Sequence, residues 1–286
     1  LGIIKSIQYN YQNKDRLDNV YNNYKHFLDY VKNTTPIILE FPEVYVAALS
    51  NVIAYANYSN DKSFFFNLLD ELSDLKTNSE SINTYSLWNA SFLKLSYFKM
   101  RGQYHESISI IPYMLKKINA INKQTTFMRL IYTQLIETYF GFEDYQTSMK
   151  YCELSLLDVY LLKRKDLNTP IRIFKLIIYC TLYENNLKFD IDSFKSDVYK
   201  TYKSILEEKN NLSEDSDFII LVQKIINSYK NILPTVNELI EFKTQIENFF
   251  EKHPEIKVFL TYFDFMCWID SKINGISFKE QKLKNI

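Results

Sequence analysis

Glycine is almost missing from this chain: 4 residues in 286, beside only 6 prolines. Tight hairpin turns draw on both, so a β-sandwich or β-barrel lacks its turn material. The same scarcity excludes phosphate cradles, and neither GxxxxGK[ST] nor GxGxxG nor a Gly-x-Ser-x-Gly elbow occurs. The 3 cysteines, Cys152, Cys180 and Cys267, fit no CxxC or zinc spacing. Such an odd, scattered set points to buried free thiols in a reducing compartment, and a cytoplasmic location is expected. His26, His105 and His253 lie in three separate regions without an HExxH pair, so no metal site and no cofactor is expected. No apolar run approaches the ~20 residues that span a bilayer; Val44–Ala56 and Ile173–Cys180 are short and interrupted. Charge of one sign is lacking too. The 34 basic residues balance 34 acidic ones, so neither a nucleic-acid surface nor a membrane-binding one is implied.

What the chain does have is apolar material: 47% hydrophobic residues against 24% charged, the proportion of a core-forming protein. Tyr (23) and Phe (21) dominate the aromatics. An AT-rich coding sequence yields the same bias, so the excess by itself says nothing of function. Apolar residues recur at three- and four-residue spacing along nearly the whole length, the pattern of amphipathic helices. Between Tyr11 and Lys32, for example, Leu17, Val20, Tyr21, Tyr24, Phe27, Leu28 and Val31 form one stripe. Pro36 ends that helix, because proline disfavours helical backbone in the residue before it. Pro42 opens the next, where its missing N–H costs little. Further helices are expected at roughly Lys62–Leu75, Ser81–Arg101, Tyr104–Ile121, Thr125–Phe142, Tyr145–Leu162, Pro170–Glu184, Asp192–Glu208, Ser216–Ile232, Thr235–Lys252 and Pro254–Asn274. The fold class is all-α, read as a single domain over residues 1–286. The start at Leu1, without Met, leaves room for a removed leader or an upstream domain.

Two turns repeat. Arg101-Gly102-Gln103-Tyr104-His105-Glu106-Ser107 matches Phe142-Glu143-Asp144-Tyr145-Gln146-Thr147-Ser148, with the tyrosines 41 positions apart. Another step back reaches Ser63, at the start of a third expected helix. In one unit Phe98, Gly102, Tyr104, Ser107, Ile111 and Met114 follow a pattern of large apolar residues, a Gly-x-Tyr turn and small close-packing residues. Tyr132, Leu135, Ile136, Tyr139, Tyr145, Ser148, Cys152 and Ser155 follow it in the next, with Glu143 in the glycine position. Over about residues 42–162 the chain resembles a tetratricopeptide repeat (TPR). Its period of 41 exceeds the ~34 usual for that family. The resemblance implies a right-handed α-α superhelix with TPR-like units at about 42–75, 81–121 and 125–162. Less regular pairs and a C-terminal cap would follow over about 170–275.

In such a solenoid the first helix of each pair lines the concave groove. Carrying that register across implies a peptide-binding surface of Asn51, Tyr55, Asn89, Phe92, Ser96, Lys99, Thr133, Gln134 and Glu137, with Val52 and Leu93 beside them. Amides hold an extended backbone and aromatics offer apolar pockets, so the expected partner is a protein or peptide. The carboxylate clamp of chaperone-binding members does not carry over, because its inner positions fall on Val52, Leu93 and Gln134. The chain is therefore read as a non-enzymatic binding scaffold. The alternative is the peptide-sensing half of a bacterial transcriptional regulator whose DNA-binding domain lies outside this sequence.

Three further features complete the reading. Asp70-Glu71 and Glu207-Glu208 are neighbours in sequence, so they point to different helix faces and read as solvated surface. Lys163-Arg164-Lys165 is the strongest basic cluster, read as complementing a helix C-terminus. Phe259, Tyr262, Phe263, Phe265, Met266, Trp268 and Ile269 give one helix an apolar circumference, expected to cap the solenoid, with a homodimer seam as the alternative. The stretch from Phe278 to Ile286 is expected to fray or to lead into further sequence.

Overall fold

The computed structural model describes residues 14–34, 40–57, 62–119, 126–157, 165–185, 190–209, 234–252 and 263–285. Those residues form twelve helices and no strand. In chain order they are α1 Lys14–Asn33, α2 Pro42–Ala56, α3 Lys62–Asp74, α4 Glu80–Met100, α5 Tyr104–Asn119 and α6 Thr126–Gly141. Then come α7 Tyr145–Leu157, α8 Lys165–Glu184, α9 Ile191–Lys209, α10 Val236–Lys252, α11 Phe265–Asn274 and α12 Phe278–Lys284. The expected helix Ser216–Ile232 lies outside the described residues.

The chain divides into two compact units, Leu1–Met100 with Ser109–Gln124, and Arg101–Ile108 with Thr125–Ile286. Each has its own core. In the first, α2 is the central helix: Val46, Leu49, Val52, Ile53 and Ala56 are all sealed from solvent. Helices α1, α3 and α4 pack around it. Aromatic stacking fills the space between α3 and α4, where Phe65 and Tyr97 lie 4.4 Å apart between ring centroids. The second unit centres on α6 and α8, and Phe140 meets Phe174, Phe263 and Phe278 at 5.3–5.5 Å. Rings at that spacing and near-perpendicular tilt gain from quadrupole complementarity beyond the area they bury.

The repeated turns share one backbone device. Gly102 and Glu143, 41 positions apart in sequence, both adopt left-handed backbone, at φ 61° and 67°. At the second turn the Glu143 N–H donates to the Phe140 carbonyl and the Asp144 N–H to the Tyr139 carbonyl, each at 3.0 Å. That crossed pair is the Schellman ending of a helix. Asp144 then caps α7, its Oδ1 accepting from the Thr147 N–H at 3.0 Å. Beyond each turn the small residue is fully buried, Ser107 in one and Ser148 in the other. One further step back, the position matching Ser107 is Phe66, a large and partly buried ring, and the position matching Gly102, Asp61, lies outside the described residues.

Several expectations need correction. Helix α8 begins at Lys165 and carries Pro170 inside it. The Arg172 side chain donates to Asn168 Oδ1 at 2.6 Å, bridging the turn that holds the proline. Lys165 therefore opens a helix and complements no C-terminus, while Lys163 and Arg164 lie outside the described residues. The aromatic helix expected over Pro254–Asn274 does not run through Phe263 and Asp264; α11 starts at Phe265, with Asp264 as its N-cap. The tail from Phe278 is a helix rather than frayed chain, held by a Ser277–Glu280 capping box.

Two substitutions test this architecture. A left-handed non-glycine residue costs roughly 1–2 kcal/mol, part of which glycine returns as chain entropy. Glu143→Gly should therefore stabilise the fold by about 0.5–1 kcal/mol in thermal or urea melts, and a loss of stability would refute the turn geometry. At Gly141 an added Cβ would overlap the Tyr104 ring. Gly141→Ala should destabilise by about 1–3 kcal/mol despite the better helix propensity of alanine, and an unchanged melting midpoint would disprove the contact.

Candidate functional site

The first unit supplies six of the nine groove positions. They lie on α2 and α4, which pack against each other. Pro42 starts α2, apolar residues bury about half of the helix, and Ser50, Asn51 and Ala54 are among those left partly accessible. On α4 the partly accessible residues include Asn89, Phe92, Leu93 and Ser96. Asn89 Nδ2 donates to Ser50 Oγ at 3.2 Å, so an amide on α4 is held against a hydroxyl on α2. The structure thus places Asn51, Asn89, Phe92 and Ser96 where solvent reaches them, and Asn89 gains a partner, Ser50, that the sequence reading missed.

Tyr55 and Lys99 sit deeper, at 4% and 5% exposure. Tyr55 stacks on Tyr24 of α1, centroids 5.4 Å apart. Its ring is part of the packing between α1 and α2 and offers no open apolar pocket. At the far end of α2, Asn57 Nδ2 reaches Met100 Sδ at 3.1 Å. A second polar cluster joins α1, α2 and α3: Lys32 Nζ lies 2.7 Å from Glu71, which also accepts from the Tyr45 hydroxyl. Burial, the bond to Glu71 and its charge all push the Tyr45 phenol upward.

The remaining three positions, Thr133, Gln134 and Glu137, lie on α6 in the second unit, and all three are buried. Burial here follows from sequence: α6 reads apolar or small over Ile131–Gly141 apart from those polar residues, so the unit encloses it. Ser148 Oγ donates to the Ile136 carbonyl at 2.7 Å, drawing α7 close. The Gln134 side-chain oxygen and the fully buried Tyr104 hydroxyl have no hydrogen-bond partner among the described residues. Burial, then the charge of Glu137, pushes the Tyr104 phenol well up.

The C-terminal helices bring charge to the same neighbourhood. Lys282 Nζ lies 2.5 Å from Asp264 Oδ2, while Asp264 Oδ1 accepts the Cys267 N–H at 3.0 Å. Burial weakens the hold of Lys282 on its proton, but Asp264 and Glu137 more than offset this and its pKa is raised. Elsewhere in the unit Lys175 bridges Glu153 and Asp197, at 3.5 and 2.7 Å. These pairings were not anticipated. The Ser277-x-x-Glu280 capping pattern and the i, i+4 spacing of Phe278 and Lys282 were the available signals.

Other candidates resolve simply. All three cysteines are buried and none is in a disulfide, and burial raises each thiol well above its ordinary value. Such thiols are poor nucleophiles at neutral pH. His26 is exposed; His105 is exposed with its ring 4.9 Å from Phe142; His253 lies outside the described residues. Among the described residues no three His, Cys, Asp or Glu side chains converge as metal ligands. Nor, among the described residues, is any helix long and apolar enough to cross a membrane. Of the aromatic C-terminal set, Phe263, Phe265, Trp268 and Ile269 are buried inside their own unit, while Phe259 and Tyr262 lie outside the described residues. No protein-family model, curated protein or solved structure matches the chain.

Alkali tests the second unit directly. Burial, then the charges of Glu143 and Glu184, lifts the Tyr145 phenol to about 12. Burial and the neighbouring Tyr139 and Tyr132 lift Tyr151 likewise to about 12. A raised phenol favours the folded state below the ordinary tyrosine pKa of about 10, and that contribution is lost as pH rises through the folded value. Unfolding free energy should fall between pH ~10 and ~12. The Tyr145→Phe/Tyr151→Phe pair should flatten this fall; an equal slope in both proteins would contradict the assignment.

Proposed function

We propose that this chain is a non-enzymatic, TPR-like helical-repeat scaffold that binds a protein or peptide partner. One observation carries the reading: the turns at Gly102 and Glu143 share their left-handed backbone, their 41-residue spacing and a buried serine five residues on. A stack of helical hairpins is built from such recurring turns, because one hairpin cannot bury its own apolar face. The right-handed superhelix remains part of the proposal, as do the family assignment and the intracellular setting.

Within the first unit the contact surface is the α2/α4 face. Asn51 and Asn89 offer amide donors and acceptors to a peptide backbone, Ser96 a hydroxyl, and Phe92 an apolar contact. Few charges lie among them, which favours selective over electrostatic capture. Tyr55 and Lys99 act from behind, as support.

The test is peptide display against the full-length chain, followed by affinity measurement on enriched sequences. Asn51→Ala/Phe92→Ala should leave helicity intact and weaken binding by at least ~10-fold, about 1.4 kcal/mol. Equal affinity for both proteins would remove this face from the proposal, and failure to enrich any sequence would overturn peptide binding itself.

A further inference from the structure

The second unit already carries a helix on the face that the repeat register gives to a partner. Thr133, Gln134 and Glu137 would point into a groove, yet they are buried. Part of what lies over α6 is the chain's own C-terminus. Phe278 of α12 meets Phe140 of α6 at 5.3 Å, stacks on Phe263 at 5.3 Å and approaches Tyr104 at 6.3 Å. One turn later Lys282 bonds Asp264 at 2.5 Å, close enough to Glu137 to feel its charge. Leu283 covers the turn at Gly102, where an added Cβ would lie 3.2 Å from it.

We propose that α12 is a displaceable internal ligand, and that the second unit accepts in its place a partner's short helix with an aromatic residue in the first turn and a lysine four residues on. This rests on the repeat register proposed above. The chemistry is complementary on the page: an aromatic enclosure of Tyr104, Phe140 and Phe263 for the ring, and the Asp264 carboxylate for the ammonium. Three observations make α12 the replaceable occupant. It is 7 residues long, a length that is not stable as a helix alone. Ahead of its N-cap Ser277 it is joined to α11 by a turn of two residues, Gly275 and Ile276, with Gly275 in the left-handed backbone that glycine adopts without steric cost. Beside Phe278, the Tyr104 hydroxyl has no hydrogen-bond partner among the described residues, so the polar groups of the seat are not fully satisfied with α12 in it.

The probe is a labelled synthetic peptide spanning Ile276–Asn285, titrated into the full-length chain and into its Phe278→Ala/Lys282→Ala variant. The variant, its own α12 loosened, should bind at least ~10-fold more tightly than wild type, and a probe carrying Phe278→Ala should lose that gain. Equal affinities, or no binding by a variant that keeps its circular dichroism, would overturn the proposal. Hydrogen exchange of the wild type decides independently of whether the variant folds. Amides of α12 should exchange at least ~10-fold faster than those of α11, and equal protection of the two helices would overturn the proposal. The face tested in the first unit shares no residue with this one, so either result stands whatever the other shows.

Discussion

A serine with no solvent exposure sets how closely α7 lies on α6. Its hydroxyl bonds the Ile136 carbonyl, and a longer side chain at position 148 would wedge the helices apart. That close approach lets the second unit bury most of α6 from Ile131 to Gly141. The continuing stripe of Met149, Cys152 and Ser155 extends it along α7. Across this approach Phe140 of α6 also meets Tyr145 of α7, with ring centroids 5.3 Å apart, and rings gain little across a wider gap. Gly141 is part of the same constraint: its missing side chain is the space that Tyr104 occupies.

Charge is arranged around these cores rather than within a reactive centre. Lys32 with Glu71, Lys243 with Asp270, and Lys272 with Glu184 each join separate helices inside one unit. Partly buried pairs of this sort fix which helix faces which, although desolvation cancels much of their Coulomb gain. Lys282 and Asp264 belong to the same type, with Lys282 the most buried of these four lysines, and Asp264 also caps α11. One carboxylate therefore serves a helix end and an ion pair at once.

Helix content was legible in the sequence because apolar spacing reports it directly, and α2, α3, α7 and α10 begin within a residue of where caps and prolines place them. Errors arose where a local signal competed with a tertiary one. Pro170 reads as a helix start, yet α8 begins earlier, at Lys165, with Arg172 bonded back to Asn168 across the proline. Phe263 continues the aromatic run, yet Asp264 diverts the backbone to cap α11. The candidate site was legible only in part. Period and register named Asn51, Asn89, Phe92 and Ser96, which are accessible. The same register cannot see how a distant segment packs, so it did not separate them from Thr133, Gln134 and Glu137, which the second unit covers.

Asp144 ends one helix through its N–H and starts the next through its carboxylate. The α6–α7 connection thus has no residue to spare. A single inserted amino acid would undo a helix end and a helix start together, and would turn every later side chain of α7 by about 100° relative to α6. The link from α3 to α4 is built otherwise. There Asn83 ties its side chain back to Thr77, and residues 75–79 lie outside any helix. Length variation among descendants of this chain should accumulate at that link and be purged from the turn at Asp144.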